Sequence, residues 1–294
     1  MEIADLKTLE AVARHGSMNR AAVELHTVQS NVTARIRSLE ESLGVVLFQR
    51  HARGVTATPA AERLLPFAGR IRRLLAEAQA AARDDGDPSG QLQLGGLETT
   101  TALRLAPLLS HFAKTYPQVR LVLSAGTTAG LTREVVACGL EGAFVAGPIN
   151  HPDLVQETMF TEELVMVTSP AIRSLRALAN VGDVKTIVFQ MGCSYRQRLE
   201  AILAGMGMIA AKPLEFGSLD TIVSCVAAGV GVTLLPRGVV AAAGKAGNVA
   251  IHRLPPEQAR VQTVFIRRRD GYISSALTAF LDIARNGAAL REAA

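Results

Sequence analysis

The sequence predicts an α+β N-terminal winged helix-turn-helix, a long linker helix and a two-lobed α/β domain behind it. Three observations point there. Helices with apolar stripes, separated by tight turns, open the chain. One stretch rich in Asp, Gly and Pro, Asp84-Asp85-Gly86-Asp87-Pro88-Ser89-Gly90, divides it. Beyond that stretch, extended apolar runs alternate with helical ones, which is the pattern of βα units and mainly parallel sheets. A length of 294 residues suits one small domain and one bilobed domain.

Leu6, Leu9, Val12 and Ala13 form one face of a first helix, which His15-Gly16-Ser17 stops. Asn19 is placed to N-cap a second short helix, Arg20 to Leu25, with Ala21, Ala22 and Leu25 inward. His26-Thr27 makes a turn into a third helix, about Val28 to Leu43. Val32, Ile36, Leu39 and Leu43 stripe it, and Gly44 ends it. Two helices joined by a tight turn, the second longer, form a helix-turn-helix. Val45 to Thr58 is apolar, then basic, then Thr-rich. Gly54 turns between two short extended pieces, which reads as a wing. Pro59 opens a helix to about Arg83, where Leu64, Ala68, Ile71, Leu75, Ala78 and Ala82 step by 4, 3, 4, 3, 4. That is a heptad seam for pairing with a second copy, although Pro66 inside it should cost about 3 kcal/mol or kink the helix. The reading gives a head over 1–58, a linker and dimerisation helix over 59–83 and a hinge over 84–90.

In the region 91–294, strands are expected at Leu92 to Leu97, Val119 to Ser124, Ala143 to Ala146, Leu154 to Phe160 and Leu164 to Thr168. Further strands are expected at Ile187 to Gln190, Leu214 to Phe216, Val232 to Leu235 and Val261 to Ile266. Helices are expected at Thr101 to Lys114, Leu131 to Ala137, Tyr195 to Ala204, Leu219 to Ala228 and Ser274 to Arg285. Lobe I then covers about 91–161 and 266–294, and lobe II about 162–265.

Composition excludes several classes. Apolar residues make up 49% of the chain, charged residues 19%, and mean hydropathy is +0.24, which excludes general disorder. The most apolar stretch, Ile222 to Pro236, is too short for a bilayer span and contains Gly229 and Gly231. Met1 to Asp5 is acidic and no apolar run follows, so no signal peptide is expected. Cys138, Cys193 and Cys225 have no C-x-x-C spacing and read as reduced thiols of a cytoplasmic protein. Net charge is +5, and its placement is uneven. Residues 1–83 hold 12 Lys and Arg against 8 Asp and Glu, while the rest hold 19 against 18. A polyanion partner is therefore expected for the head alone.

No cofactor, metal or catalytic residue is expected. The six His are scattered without zinc spacing. Gly238 to Lys245 is one residue too long for a phosphate loop and is followed by Ala246. Gly229-x-Gly231 lacks a third glycine, and no G-x-S-x-G element occurs. A small-molecule-binding enzyme is the weaker alternative.

The runs Met18-Asn-Arg-Ala-Ala-Val-Glu-Leu-His26 and Val28-Gln-Ser-Asn-Val-Thr-Ala-Arg-Ile-Arg-Ser-Leu-Glu40, then Leu43-Gly44, Leu47-Phe48 and Arg50, resemble the LysR-type transcriptional regulators. So does the later order of long helix, hinge and a bilobed domain resembling periplasmic binding proteins. Gly192-Cys-Ser-Tyr-Arg196 with Leu199-Glu200, and Gly229-Val-Gly-Val-Thr-Leu-Leu-Pro236, are similar to that domain. Many relatives have Ser where this chain has Val28 and Pro where it has Ser30, which moves the capping role to Thr27 or Ser30.

The resemblance implies promoter DNA, a small-molecule effector between the lobes, RNA polymerase as a partner, and a homodimer or homotetramer. Gln29, Ser30, Asn31, Thr33, Arg35 and Arg37 offer polar groups on a helix with no acid before Glu40. Gln29 and Asn31 suit adenine, and Arg35 suits guanine or phosphate. Asn19 and Arg20, at the start of the second helix, suit phosphate. Arg50 and Arg53 resemble backbone or minor-groove contacts. Singly, each residue fits a solvated surface better than a contact; motif and context together favour DNA. The effector residues implied are Glu98, Thr99, Thr100, Thr127, Cys193, Ser194, Tyr195 and Ser218, against plain helix capping for the hydroxyls. Glu98 either disfavours a purely anionic effector or pairs with Arg196. A thiol-responsive regulator is the alternative. Peroxide-sensing relatives carry their cysteine where Ser194 stands, and this chain's is one earlier, at Cys193.

Overall fold

A computed structural model describes residues 1–51, 54–178, 184–208 and 211–292. They form two compact units, Met1–Arg83 with Ala137–Gly139, and Asp84–Val136 with Leu140–Ala294.

The first unit contains α1 (Ile3–His15), α2 (Met18–Glu24), α3 (Gln29–Leu43), the hairpin strands β1 (Phe48–His51) and β2 (Gly54–Ala57), and α4 (Pro59–Arg83). The expected stripes close one core: Leu6, Leu9, Val12, Ala21, Val32, Ile36, Leu39 and Phe48. Gly16 takes the left-handed conformation that ends α1 (φ 58°), and its carbonyl accepts from Val55 N–H, which seats the wing. Ser17, not Asn19, caps α2. A cap residue needs extended backbone, which Ser17 has, and its Oγ accepts from Arg20 N–H; Asn19 already lies inside the first turn. Val28 precedes α3 with extended backbone and no side-chain cap, and Thr27 Oγ1 instead accepts from the Asn31 amide.

α4 runs on through Pro66. The expected heptad seam is only partly exposed. Ala68 is fully buried and Leu64 packs on the head's own core, because α4 lies against α1. The apolar stripe left open to solvent is Phe67, Ile71 and Leu74.

The second unit begins with β3 (Gly90–Gly96), α5 (Glu98–Thr100), a π turn (Thr101–Leu105) and α6 (Ala106–Thr115). Next come β4 (Val119–Ala125), α7 (Thr128–Val136), β5 (Gly142–Ala146), β6 (Leu154–Thr168), α8 (Leu175–Leu178) and β7 (Lys185–Phe189). Then follow α9 (Ser194–Gly205), β8 (Ala211–Phe216), α10 (Leu219–Ala227), β9 (Thr233–Pro236) and α11 (Arg237–Lys245). The chain ends with β10 (Ala250–Arg253), α12 (Pro256–Ala259), β11 (Arg260–Arg268) and α13 (Ser275–Glu292).

One curled sheet runs in the order β10-β6-β11-β5-β3-β4, with β9 also paired to β6. β3, β4 and β5 are parallel; β11 is antiparallel to both β5 and β6. β7 and β8 form a separate parallel pair, joined to the segment before β9 by a Thr186–Val232 bridge. The two strands expected at 154–160 and 164–168 are a single 15-residue strand. Polar Thr161-Glu162-Glu163 interrupts the apolar pattern, yet its backbone pairs with β11, and buried Glu162 meets Arg104 at 2.6 Å. β6 and β11 therefore belong to both lobes. Between Thr263 and Val264 their register slips, pairing Thr263 with Phe160 but Val264 with Thr158, a bulge where the lobes join.

Lobe I packs on an aromatic cluster. Phe144 lies 4.9 Å from Phe265 between centroids, and Phe112 lies 5.2 Å from Phe280. Lobe II closes over Val165, Val167, Ile187, Ile222, Leu235 and Val240.

The hinge is anchored at one end. Asp84 Oδ2 accepts from Ser275 N–H (2.8 Å) and from the Tyr272 hydroxyl (2.9 Å) at the start of α13. These bonds, chiefly the Ser275 N–H, hold the Asp84 carboxyl down to about 2. The folded pKa is depressed, so this contribution is complete above the ordinary value of 3.8 and is lost as pH falls towards 2. A carboxyl-detected NMR titration should place the Asp84 midpoint near 2. A midpoint at the ordinary value would disprove the anchor.

Candidate functional site

In α3 the buried residues Val32, Ile36 and Leu39 define the inner side. At about 100° per residue the opposite side carries Ser30, Ala34, Arg37 and Glu41, flanked by Asn31 and Thr33. Ser30, Asn31, Ala34 and Arg37 are exposed. The polar groups bond among themselves: Gln29 Nε2 donates to Thr33 Oγ1 (3.3 Å), and Arg37 Nε to Glu41 Oε1 (2.9 Å). Such exposed pairs are weak and readily exchanged. Glu40 is turned away, its Oε1 accepting from Leu47 and Phe48 N–H where β1 begins.

The other head residues occupy separate places. Arg35 lies at the flank of the exposed face, where Asp5 of α1 holds its Nη1 at 3.2 Å. Asn19 and Arg20 are exposed in the first turn of α2, and Arg20 donates to the His15 carbonyl. Arg50 is exposed on β1, paired across the hairpin with Val55. Arg53 falls outside the described residues. Sequence reasoning passes over Ala34, which has no polar atom but sits at the centre of the face.

In the second unit, a cavity of about 140 Å³ lies where strand ends of both lobes converge. Leu97, Glu98 and Thr99 follow β3; Ala125 ends β4, with Gly126 and Thr127 after it; Phe189 ends β7, with Gln190 after it; Cys193 and Tyr195 lie at the start of α9; Gly217 follows β8. Small residues allow this convergence. A Cβ on Gly95 would stand 2.7 Å from Leu131 of α7. Five expected residues, Glu98, Thr99, Thr127, Cys193 and Tyr195, come together there. Thr100 is buried but outside the lining, the Ser194 hydroxyl is buried without a partner, and Ser218 leaves α10 uncapped by its side chain. Leu97, Ala125, Phe189, Gln190 and Gly217 also line the cavity without having been expected there. The one signal for Gln190 is its place at the end of an apolar strand.

Glu98 does not pair with Arg196. Its Oε1 accepts from Leu219 N–H at 2.7 Å and so caps α10 from the other lobe, where the helix start favours a negative charge. Arg196 is engaged instead by Glu200 (3.1 Å), one turn along its own helix, and by Glu215 of β8 (2.6 Å). A second bond between the lobes runs from Ala129 N–H to the Gly192 carbonyl at 3.3 Å. Tyr195 is 4% exposed and burial pushes its hydroxyl up to about 12, so it remains a donor at neutral pH. Burial likewise pushes the Cys193 thiol up, against the partial opposition of Tyr195 and Arg196 N–H. A buried, protonated thiol is a poor peroxide target, which weakens the thiol-responsive alternative.

Residues 3–62 match the family described as bacterial regulatory helix-turn-helix proteins, lysR family, and residues 85–289 match the LysR substrate binding domain. The chain belongs to the LysR family. The HTH-type transcriptional regulator GltR of Bacillus subtilis (strain 168) is 42% identical over 281 residues, 96% of this chain and 95% of its own. The HTH-type transcriptional regulator CzcR of Bacillus cereus is 40% identical, with 96% of each chain covered. Among solved structures, full-length CbnR complexed with its target DNA superposes with a TM-score of 0.69 at 24% identity, covering 98% of this chain and 100% of that one. ArgP from Mycobacterium tuberculosis gives 0.65 at 20% identity, covering 97% and 96%. These structures share the fold. This LysR-family chain is a DNA-binding transcriptional regulator with an effector-binding domain behind its head. Among the described residues, no helix is long and apolar enough to cross a membrane.

Proposed function

We propose that this regulator binds a two-part, partly symmetric operator as a homodimer or homotetramer in the cytoplasm, and has no enzymatic activity. A small molecule in the cleft between the lobes changes how the paired heads sit on DNA, and so the recruitment of RNA polymerase. The observation that carries the DNA reading is the exposed face of α3. It begins at a helix start without a side-chain cap and carries Ser30, Asn31, Thr33 and Arg37, while the Glu40 carboxylate is turned inward. Gln29 and Asn31 read base edges. Arg35 is set at the rim by Asp5, while Asn19, Arg20, Arg50 and Arg53 hold phosphate. Pairing of two copies uses the open stripe Phe67, Ile71 and Leu74 of α4. The effector meets Glu98, Thr99, Thr127, Cys193 and Tyr195, with Thr100, Ser194 and Ser218 supporting that wall from behind.

The test starts by selecting bound duplexes from a random pool with the full chain, which should recover two related half-sites. On that duplex, Arg37→Ala should weaken binding about tenfold and lower the salt slope by about one for each phosphate it no longer neutralises. Unchanged affinity and slope would remove Arg37 from the interface.

A further inference from the structure

The cleft lining is uneven in charge. Among the described residues that line it, Glu98 is the only Asp, Glu, Lys, Arg or His; the others offer hydroxyls, an amide, a thiol, apolar groups and the rings of Phe189 and Tyr195. At two of the three helix starts around the cleft, N–H groups are already taken. At α7, Gly130 N–H is taken by Thr127 Oγ1 and Ala129 N–H by the Gly192 carbonyl. At α9, Cys193 precedes the helix with extended backbone and makes no side-chain cap bond. At α10, Leu219 N–H is taken by Glu98 itself. Of the guanidinium groups on α9, Arg196 is held by two glutamates and Arg198 donates to the Arg260 carbonyl. An incoming carboxylate would thus meet the charge of Glu98 and a set of donors already partly taken. An ammonium would meet the remaining lone pairs of Glu98, which a carboxylate has in excess of its single bond to Leu219. The hydroxyl of Tyr195, buried beside Thr99 without completing a hydrogen bond, is left for a polar group on the same ligand.

We propose that the effector is a compact amine, its ammonium read by Glu98 and its apolar body held against Phe189, Leu97 and Tyr195. The cavity of about 140 Å³ limits it to roughly the size of a substituted benzene, on the order of six to ten non-hydrogen atoms. The inference rests on the reading of this cleft as the effector site.

The experiment uses the full chain, wild type and Glu98→Gln, in thermal-shift titrations. The probes are benzylamine and cyclohexylmethylamine, set against benzoate, cyclohexanecarboxylate and benzyl alcohol. The substitution is not expected to unseat α10, since an amide carbonyl also accepts from Leu219 N–H. The amines should raise the wild-type melting temperature by a few degrees. Glu98→Gln should need at least about tenfold more amine for the same shift, as befits a lost charged hydrogen bond, and should gain response to the carboxylates. If carboxylates stabilise the wild type as well as amines do, or the variant keeps full amine affinity, the charge preference is overturned and the cleft remains a binding site. If no probe of either charge, nor the alcohol, shifts either protein, the effector reading of the cleft falls with it.

Discussion

Ala34→Glu is expected to abolish operator binding while leaving the protein folded. Ala34 lies at the centre of the exposed face of α3, between Ser30 and Arg37 and opposite the buried Val32, Ile36 and Leu39. On an exposed helical position, exchanging Ala for Glu costs a few tenths of a kcal/mol, so melting should hardly change. On DNA the new carboxylate would lie against phosphate and base acceptors, a like-charge juxtaposition that costs several kcal/mol. The affinity loss should be on the order of 100-fold or more, measured by fluorescence anisotropy on the selected duplex. Wild-type affinity in this variant would take the face out of the DNA-contacting surface. Adding bulk and charge at a position with no polar atom is the sharper test, because it does not depend on which neighbouring side chain makes which bond.

The largest stability effect is expected from Phe144→Ala. Phe144 is fully buried on β5 and touches the rings of Phe160, Phe265 and Phe280, so its removal leaves a void that the strands around it and α13 cannot collapse into. Losses of about 3–5 kcal/mol are usual for such a truncation, which for a domain of this size lowers melting by roughly 6–20 °C. The three tyrosines, Tyr116, Tyr195 and Tyr272, all lie in the second unit and the chain has no Trp. Intrinsic fluorescence therefore follows that unit without interference from the head. A loss below about 1 kcal/mol would mean that the aromatic cluster repacks.

What is legible in the sequence follows from what its signals measure. The 3.6-residue stripe of Leu6, Leu9, Val12, Val32, Ile36 and Leu39 marks helices that bury one side, and all six are core. Short-range chemistry is more ambiguous: Ser17 and Asn19 are both good caps, and only backbone conformation chooses between them. Strand β6 reads as two because three polar residues hide a ladder whose partner, β11, is about a hundred positions away. The linker seam reads as belonging wholly to a second copy because periodicity says that a face is covered, not what covers it. The cleft shows the same limit. Thr99 and Thr100 are adjacent and chemically alike, yet only Thr99 lines the cavity, a matter of rotation at a helix start that runs into a π turn. The partner of Glu98, a backbone N–H 121 positions on, has no sequence signature at all.

The shared pair of strands has a further consequence for how this architecture can change over time. Lobe II leaves the first half of the sheet at Phe160 and returns at Thr263, and those two residues are direct partners across the antiparallel ladder. The whole intervening segment is thus an insertion whose ends sit one backbone spacing apart, the arrangement that tolerates excision or exchange of a module. A short turn joining Phe160 to Thr263 would close β6 and β11 into an ordinary hairpin and leave the β5-β3-β4 ladder and its aromatic centre intact. Grafting a foreign insert at the same two positions would give the head a new sensory half without disturbing the strands that carry it.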